Sequence, residues 1–365
     1  MTTRCTRPIR TRLPLIGTCL SAAAVAIGLF TLEARSSRAA DRVTIHPEGT
    51  SSAITLVGDV VDFNRRELKL QQKTGAGLRY IPADEILSVE TYHGDAHRRA
   101  VREFAAGEIG QAESSFLAAY AEDHRPWVQR ELLAGLVRCA RRQGQFAVAA
   151  ARFLQIIKSE PATRHWSAVP LIWAPEAIPA DTRDEATVWL RHHTQAGRLI
   201  GASVLLQDPA HGTLAVREMK QLARETDPVI SSLARAQLWR LKLTPGQTTP
   251  NELRSWREDI ERMPADLRGG PYWVLAKAHE LAGDYEQAAA DWLWLPTVYH
   301  EDGVTTVHAS LAAARALTRL GRQDEGLTLY REVASRFGWS PLASEARAAI
   351  RETEQTTDAS NPAGG

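Results

Sequence analysis

The chain has 365 residues, 44% of them hydrophobic and 24% charged, and a formal net charge of +1. That composition is globular and excludes whole-chain disorder, a collagen-like fibre and a polytopic membrane protein. Setting aside the six Arg and one Glu of residues 1–39 leaves 38 basic against 42 acidic residues, a net of −4, so the body carries no electrostatic footprint for nucleic acid.

The chain opens with Arg4, Arg7, Arg10 and Arg12, followed by an uncharged run from Leu13 to Leu32 and then Ser37-Arg38-Ala39. A basic start, an apolar stretch and small residues before a cleavage point form a secretory signal pattern. Residues 1–39 are therefore expected to be a signal peptide, with the mature chain starting near Ala40 or Asp41. The apolar run is long enough that a retained membrane anchor is the alternative. Cys5 and Cys19 fall in this leader, so the mature chain keeps only Cys139 and forms no internal disulfide. Cys139 sits in a helical pattern and is expected to be a small buried residue.

Residues 40–93 read as strands. Ile54–Phe63 is rich in β-branched and aromatic residues, Asn64–Arg66 is a turn, and Glu67–Gln71 alternates apolar with polar. A second turn at 74–77 leads to Leu78–Ile81, and Ile86–Tyr92 closes the set. Short alternating strands between turn clusters predict a small antiparallel β-barrel. About 50 residues are marginal for independent stability, so the strands should pack on the helical part of the chain. The order of Gly58-Asp59-Val60-Val61, Leu68-Lys69-Leu70 and Tyr80–Ile86 resembles the SH3-like or Sm-like barrels of bacterial envelope proteins. That resemblance assigns no ligand.

From Asp95 the apolar spacing changes to three and four, the helical period. Four segments share one grammar: a Gly-containing turn, then a small residue four before an aromatic. These are Gly107 with Ala112, Phe116 and Ala119; Gly144 with Ala149, Phe153 and Ile156; Gly283 with Ala288, Trp292 and Leu295; and Gly321 with Gly326, Tyr330 and Val333. The offsets of 37 from Ala112 to Ala149 and 38 from Ala288 to Gly326 are close to a period of ~34. This grammar resembles the tetratricopeptide repeat, and the ending from Leu329 to Ala346 resembles repeats of bacterial envelope proteins. Residues 94–161 and 269–351 are accordingly expected to be repeat hairpins. Between them, 162–268 opens with Pro170, Pro175 and Pro179 among Trp166 and Trp173, which cannot form one helix. HEAT-like helices come next, with Asp227-Pro228 and Thr249-Pro250 as helix starts. Residues 352–365 are polar and are expected to be a disordered tail. The predicted fold class is mainly α: a tetratricopeptide-like solenoid, HEAT-like in its middle, behind a small barrel.

No chemistry-bearing motif emerges. His192-His193 are adjacent and diverge on a helix. His279-Glu280 lacks a zincin's second His, Gly107-Glu-Ile-Gly110 lacks the Lys-Ser/Thr of a phosphate loop, and no Gly-x-Ser-x-Gly elbow occurs. Asp84-Glu85 and Glu301-Asp302 read as solvated loop residues. Catalytic, cofactor-binding and metal residues are thus expected to be none, and the partner-binding residues stay unassigned. Arg138, Arg141 and Arg142 form the densest basic cluster, either a solvated helix end or a patch for an anionic partner. The ten Trp belong to the core, or some line a concave groove. The repeat resemblance implies a non-enzymatic exported scaffold for protein partners in the periplasm or cell envelope, without cofactor or nucleic acid. The alternative is a carbohydrate- or peptide-binding protein, or an enzyme, with a pocket between the barrel and segment 163–180.

Overall fold

The computed structural model describes residues 40–50, 52–72, 77–299, 303–338 and 340–360. The leader, Glu301-Asp302, Trp339 and the last five residues lie outside them, as does most of the turn at 74–77. These described residues form one compact unit.

Five strands make one antiparallel sheet: β1 Asp41–Ile45, β2 Ile54–Phe63, β3 Glu67–Gln72, β4 Leu78–Pro82 and β5 Ile86–Glu90, in the order β4-β3-β2-β1-β5. The period-2 pattern puts Val43, Ile45, Val60, Leu68, Leu70 and Ile81 on the buried face, while Val61 and Tyr80 are exposed. The expected closed barrel is not formed. β4 passes into β5 through a 3-10 turn, Ala83–Glu85, and β5 crosses to pair with β1 instead. The helices supply the missing wall. Trp127, buried at the start of the third helix, donates its indole N–H to the Val60 carbonyl at 3.1 Å, and Arg130 pairs with Asp62. Arg65 reaches Asp227 at 3.0 Å, and its N–H bonds to the Ala162 carbonyl at 2.9 Å. The sheet's inner face shares one continuous core with the helices, as its small size requires.

The described helices are α1 Asp95–Ala106, α2 Ile109–Glu122, α3 Pro126–Arg142, α4 Phe146–Ser159, α5 Ala180–Trp189, α6 Gln195–Leu205, α7 Gly212–Leu222, α8 Pro228–Trp239, α9 Pro250–Arg262, α10 Gly269–Leu281, α11 Tyr285–Thr297, α12 Gly303–Arg319, α13 Gln323–Arg336 and α14 Leu342–Ser360. α14 continues nine residues past the expected helix end at Arg351. Its alanines Ala343 and Ala346 are buried, Ala346 against the preceding hairpin, and its polar extension is tied back to α13 by Arg331 pairing with Glu354 at 3.1 Å.

The repeat grammar maps onto four hairpins, α1/α2, α3/α4, α10/α11 and α12/α13. Gly107, Gly144, Gly283 and Gly321 all sit at their turns with φ between 72° and 81°, a left-handed conformation that costs glycine nothing. Around each, the same pair of bonds closes the helix end: Gly107 N–H to Phe104 O with Glu108 N–H to Glu103 O, and likewise in the other three. This is the Schellman arrangement. The small residue and the aromatic behind each turn are buried: Ala112 with Phe116, Ala149 with Phe153, Ala288 with Trp292, and Gly326 with Tyr330.

The middle helices form as their caps direct. Asp227 accepts from the Val229 N–H at 2.9 Å, and Thr249 with Glu252 completes a capping box. α5 packs on α6, α6 on α7 and α7 on α8. The stack is not strictly linear, however. α12 returns to touch α3, and a Cβ on Gly303 would stand 2.7 Å from Arg142 Nε. In a plain solenoid each repeat meets only its neighbours; here the second pair of hairpins comes back against the first.

Candidate functional site

Where α12 meets α3, a cavity of about 280 Å³ opens. Its walls include Arg138, Arg141 and Arg142 of α3, Trp166 and Trp173 of the Pro-aromatic segment, Leu233 of α8 and Tyr299 after α11. The segment is held rigidly. The Ile172 N–H donates to Ser203 Oγ at 2.9 Å, and Gln237 Nε2 donates to the Ile172 carbonyl at 3.0 Å. Ser203 in turn donates to Gln237 Oε1, and the buried Arg240 donates to the Ser203 carbonyl. Such a satisfied internal network fixes one conformation, so Trp166, at the start of a short 3-10 helix, and Trp173 are presented from a stiff support although no α-helix carries them.

The three arginines are neither a solvated helix end nor an open basic patch. Arg141 makes a forked pair with Glu176, at 3.0 and 3.3 Å, and lies over the Phe146 ring. Arg138 donates to Ser167 Oγ at 3.2 Å. Arg142 donates to the Phe104 carbonyl and covers the Phe104 ring at 4.1 Å. Their first work is to brace α3 against its surroundings, with the flank they present to the cavity remaining polar.

The cavity rim continues into an aromatic ladder. Tyr272 stacks on Trp294 and on Tyr299, ring centres 5.6 Å apart in both cases. Trp294 is 41% exposed and Val298 48%. Of the other Trp residues, Trp189, Trp239, Trp256, Trp273 and Trp292 are core. Two helix positions, 292 and 294, thus separate cleanly: one fills the hairpin interior, the other faces out. A largely apolar concavity near one exposed tryptophan suits recognition of an apolar side chain. The sequence-predicted pocket between sheet and segment 163–180 is corrected here, because the walls opposite that segment come from α3, α8 and the α9–α12 region.

Cys139 is fully buried, and that burial pushes its thiol up to about 12, which leaves it inert as a nucleophile. Asp84 is exposed, beside half-buried Glu85 in the 3-10 turn. His279 lies 3.7 Å from the buried Asp291, whose carboxyl burial raises to about 6.

One cluster was missed by the sequence reading, which weighed His192-His193 and His279-Glu280 only. His93, His97 and Glu131 each bring a ligand-type atom within 4.8 Å of the others'. Part of the signal lay in His93-Gly-Asp-Ala-His97: a histidine just before the N-cap can fold back over one in the first turn, and here the rings lie 4.1 Å apart. Glu131, from the next hairpin, could not be placed without the fold.

No protein-family model matches the chain, and no curated protein matches it. Among solved structures it is similar to a tetratricopeptide repeat protein from Parabacteroides merdae ATCC 43184, at 14% identity over 70% of this chain and 96% of that one, with a TM-score of 0.29. So loose a superposition adds nothing to the hairpin geometry above.

Proposed function

We propose that the protein is an exported, non-enzymatic scaffold that binds a protein partner in the cell envelope, seating an apolar side chain of that partner in the α3–α12 cavity and against Trp294. The observation that carries this reading is the continuity of cavity and rim: Tyr299 lines the concavity and belongs to the same aromatic stack as the exposed Trp294, through the buried Tyr272. Aromatic anchors in pockets supply much of the affinity in such contacts. Repeat hairpins behind them provide the extended surface for the rest. The strand order of the N-terminal sheet supports an SH3-like origin for it, here docked on α3 as part of the body.

Export rests on the leader, and the first strand is compatible with it. Asp41 is buried, accepting from the Val60 N–H at 2.8 Å and from Thr91 Oγ1 at 2.5 Å. Cleavage after Ala39 or Ala40 spares that residue, so the mature N-terminus falls immediately before the fold begins.

A photo-reactive amino acid at Ala265, an exposed wall residue of the cavity, tests the reading in the producing cell. A discrete cross-linked protein is expected from position 265 and none from Val188, which is 67% exposed on α5. Identical products at both positions, or none at 265, contradict it. Retention of a small amphiphilic molecule by the purified protein, lost on Ala265→Trp, would favour the ligand-binding alternative, to which the polar arginine flank and the cavity's modest volume are suited.

A further inference from the structure

We propose that His93, His97 and Glu131 bind a first-row transition-metal ion of the zinc class, tying the first repeat hairpin to the second. His93 sits immediately before α1 and His97 in its first turn. Gly94 between them, extended at φ −60° and ψ 164°, is the N-cap. The four-residue offset brings the two rings together, with centroids 4.1 Å apart and planes 56° apart. Glu131 enters from α3 across the hairpin interface. All three ligand atoms lie within 4.8 Å of one another.

His97 makes the arrangement more than a chance meeting. It is 5% exposed, and its Nδ1 is buried without a hydrogen-bond partner. A buried polar nitrogen left in this state is disfavoured, and folding has nonetheless placed a second imidazole and a carboxylate around it. A metal ion held by the cluster would engage this ring.

The donor set selects the ion. Two imidazoles and a carboxylate suit zinc and its neighbours, whereas calcium and magnesium prefer all-oxygen sites. Tetrahedral ligands at zinc distances stand about 3.4 Å apart, so the site must contract by at most about 1.4 Å at its widest pair. His93 on a loop and the long side chain of Glu131 can supply that movement by rotation, while His97 stays fixed in α1. Asp123 and Arg125 also face His97; they are paired with each other at 2.6 Å, so the cation of Arg125 is largely offset. Three protein ligands leave a fourth position, and since His93 and Glu131 are only half-buried, water can reach it.

The test uses the untagged full-length mature protein, stripped with a chelator and dialysed. Titration calorimetry with Zn(II) should give one equivalent bound at micromolar affinity or better. Co(II) should give the intense visible bands of a low-coordinate site. His93→Ala and Glu131→Gln, both at half-buried positions and checked for native circular dichroism, should each weaken binding at least tenfold. At one fixed Zn(II) concentration the melting temperature should rise more for the native protein than for either variant. Absence of stoichiometric Zn(II) binding overturns the proposal. So does equal binding by native and variant proteins, which would place the ion elsewhere.

Discussion

Gly326 stands where the other three hairpins carry Ala, and its surroundings give the reason. A Cβ there would meet Thr318 Oγ1 at 2.6 Å and the Ala314 carbonyl at 3.0 Å. That hydroxyl is itself held, donating to the same carbonyl at 2.9 Å. α12 and α13 therefore approach more closely than Ala permits. Overpacking costs about 1–3 kcal/mol, against a helix-propensity gain of about 1 kcal/mol for Gly→Ala. The clash involves backbone and wins. Gly110, in α2, has nothing within 4 Å of the point where a Cβ would stand, so only the propensity gain applies. Gly326→Ala should lower the melting temperature and Gly110→Ala should raise it. The same sign for both would refute the register assigned to the fourth hairpin.

At the level of elements, the joint between α4 and α5 contributes to the response to acid. His165 in this segment is buried, and that burial, reinforced by Arg164, Arg138 and Arg130, holds its pKa down at about 3. The unfolded chain titrates near 6.5. Between those values the unfolded state binds more protons than the folded one, so stability rises with pH through this window and is lost as pH falls from about 6.5 towards 3. The slope is at most about 1.4 kcal/mol per pH unit for one such group. His97, held at about 4 by burial first and His93 second, acts in the same direction. His165→Asn should therefore flatten, without abolishing, the acid limb of stability measured by urea titration at successive pH values. An unchanged limb would show that His165 is protonated in the fold.

Local rules made most elements legible from sequence. The turn glycines, the Asp227-Pro228 and Thr249-Pro250 starts and the small-to-aromatic spacing each depend on residues within one hairpin. What escaped depends on distant pairs. The open sheet edge follows from Trp127 and α3 filling the barrel's interior, 67 residues from Val60. The arginine braces follow from α3 meeting Phe104, Ser167 and Glu176. The continuation of α14 follows from anchoring by its own alanines, where polarity alone suggested a tail.

For the whole molecule, the decisive feature is the return of α12 to α3. It converts a row of hairpins into a body with a cavity at its closure, and it places the Tyr272–Trp294–Tyr299 ladder at that cavity's edge. Among the described residues no helix is long and apolar enough to cross a membrane, and the same buried core runs from the sheet to α12. A partner should therefore meet one continuous surface, with its strongest contact at the closure. The measurement that tests this most directly is the affinity of the cross-linked partner, once identified, for Trp294→Ala beside the native protein. Trp294 is exposed at 41%, so its truncation should leave the fold intact. As an interface anchor its loss should cost about 2 kcal/mol or more, roughly a thirtyfold weakening. An unchanged dissociation constant, with native circular dichroism and melting, would contradict the account.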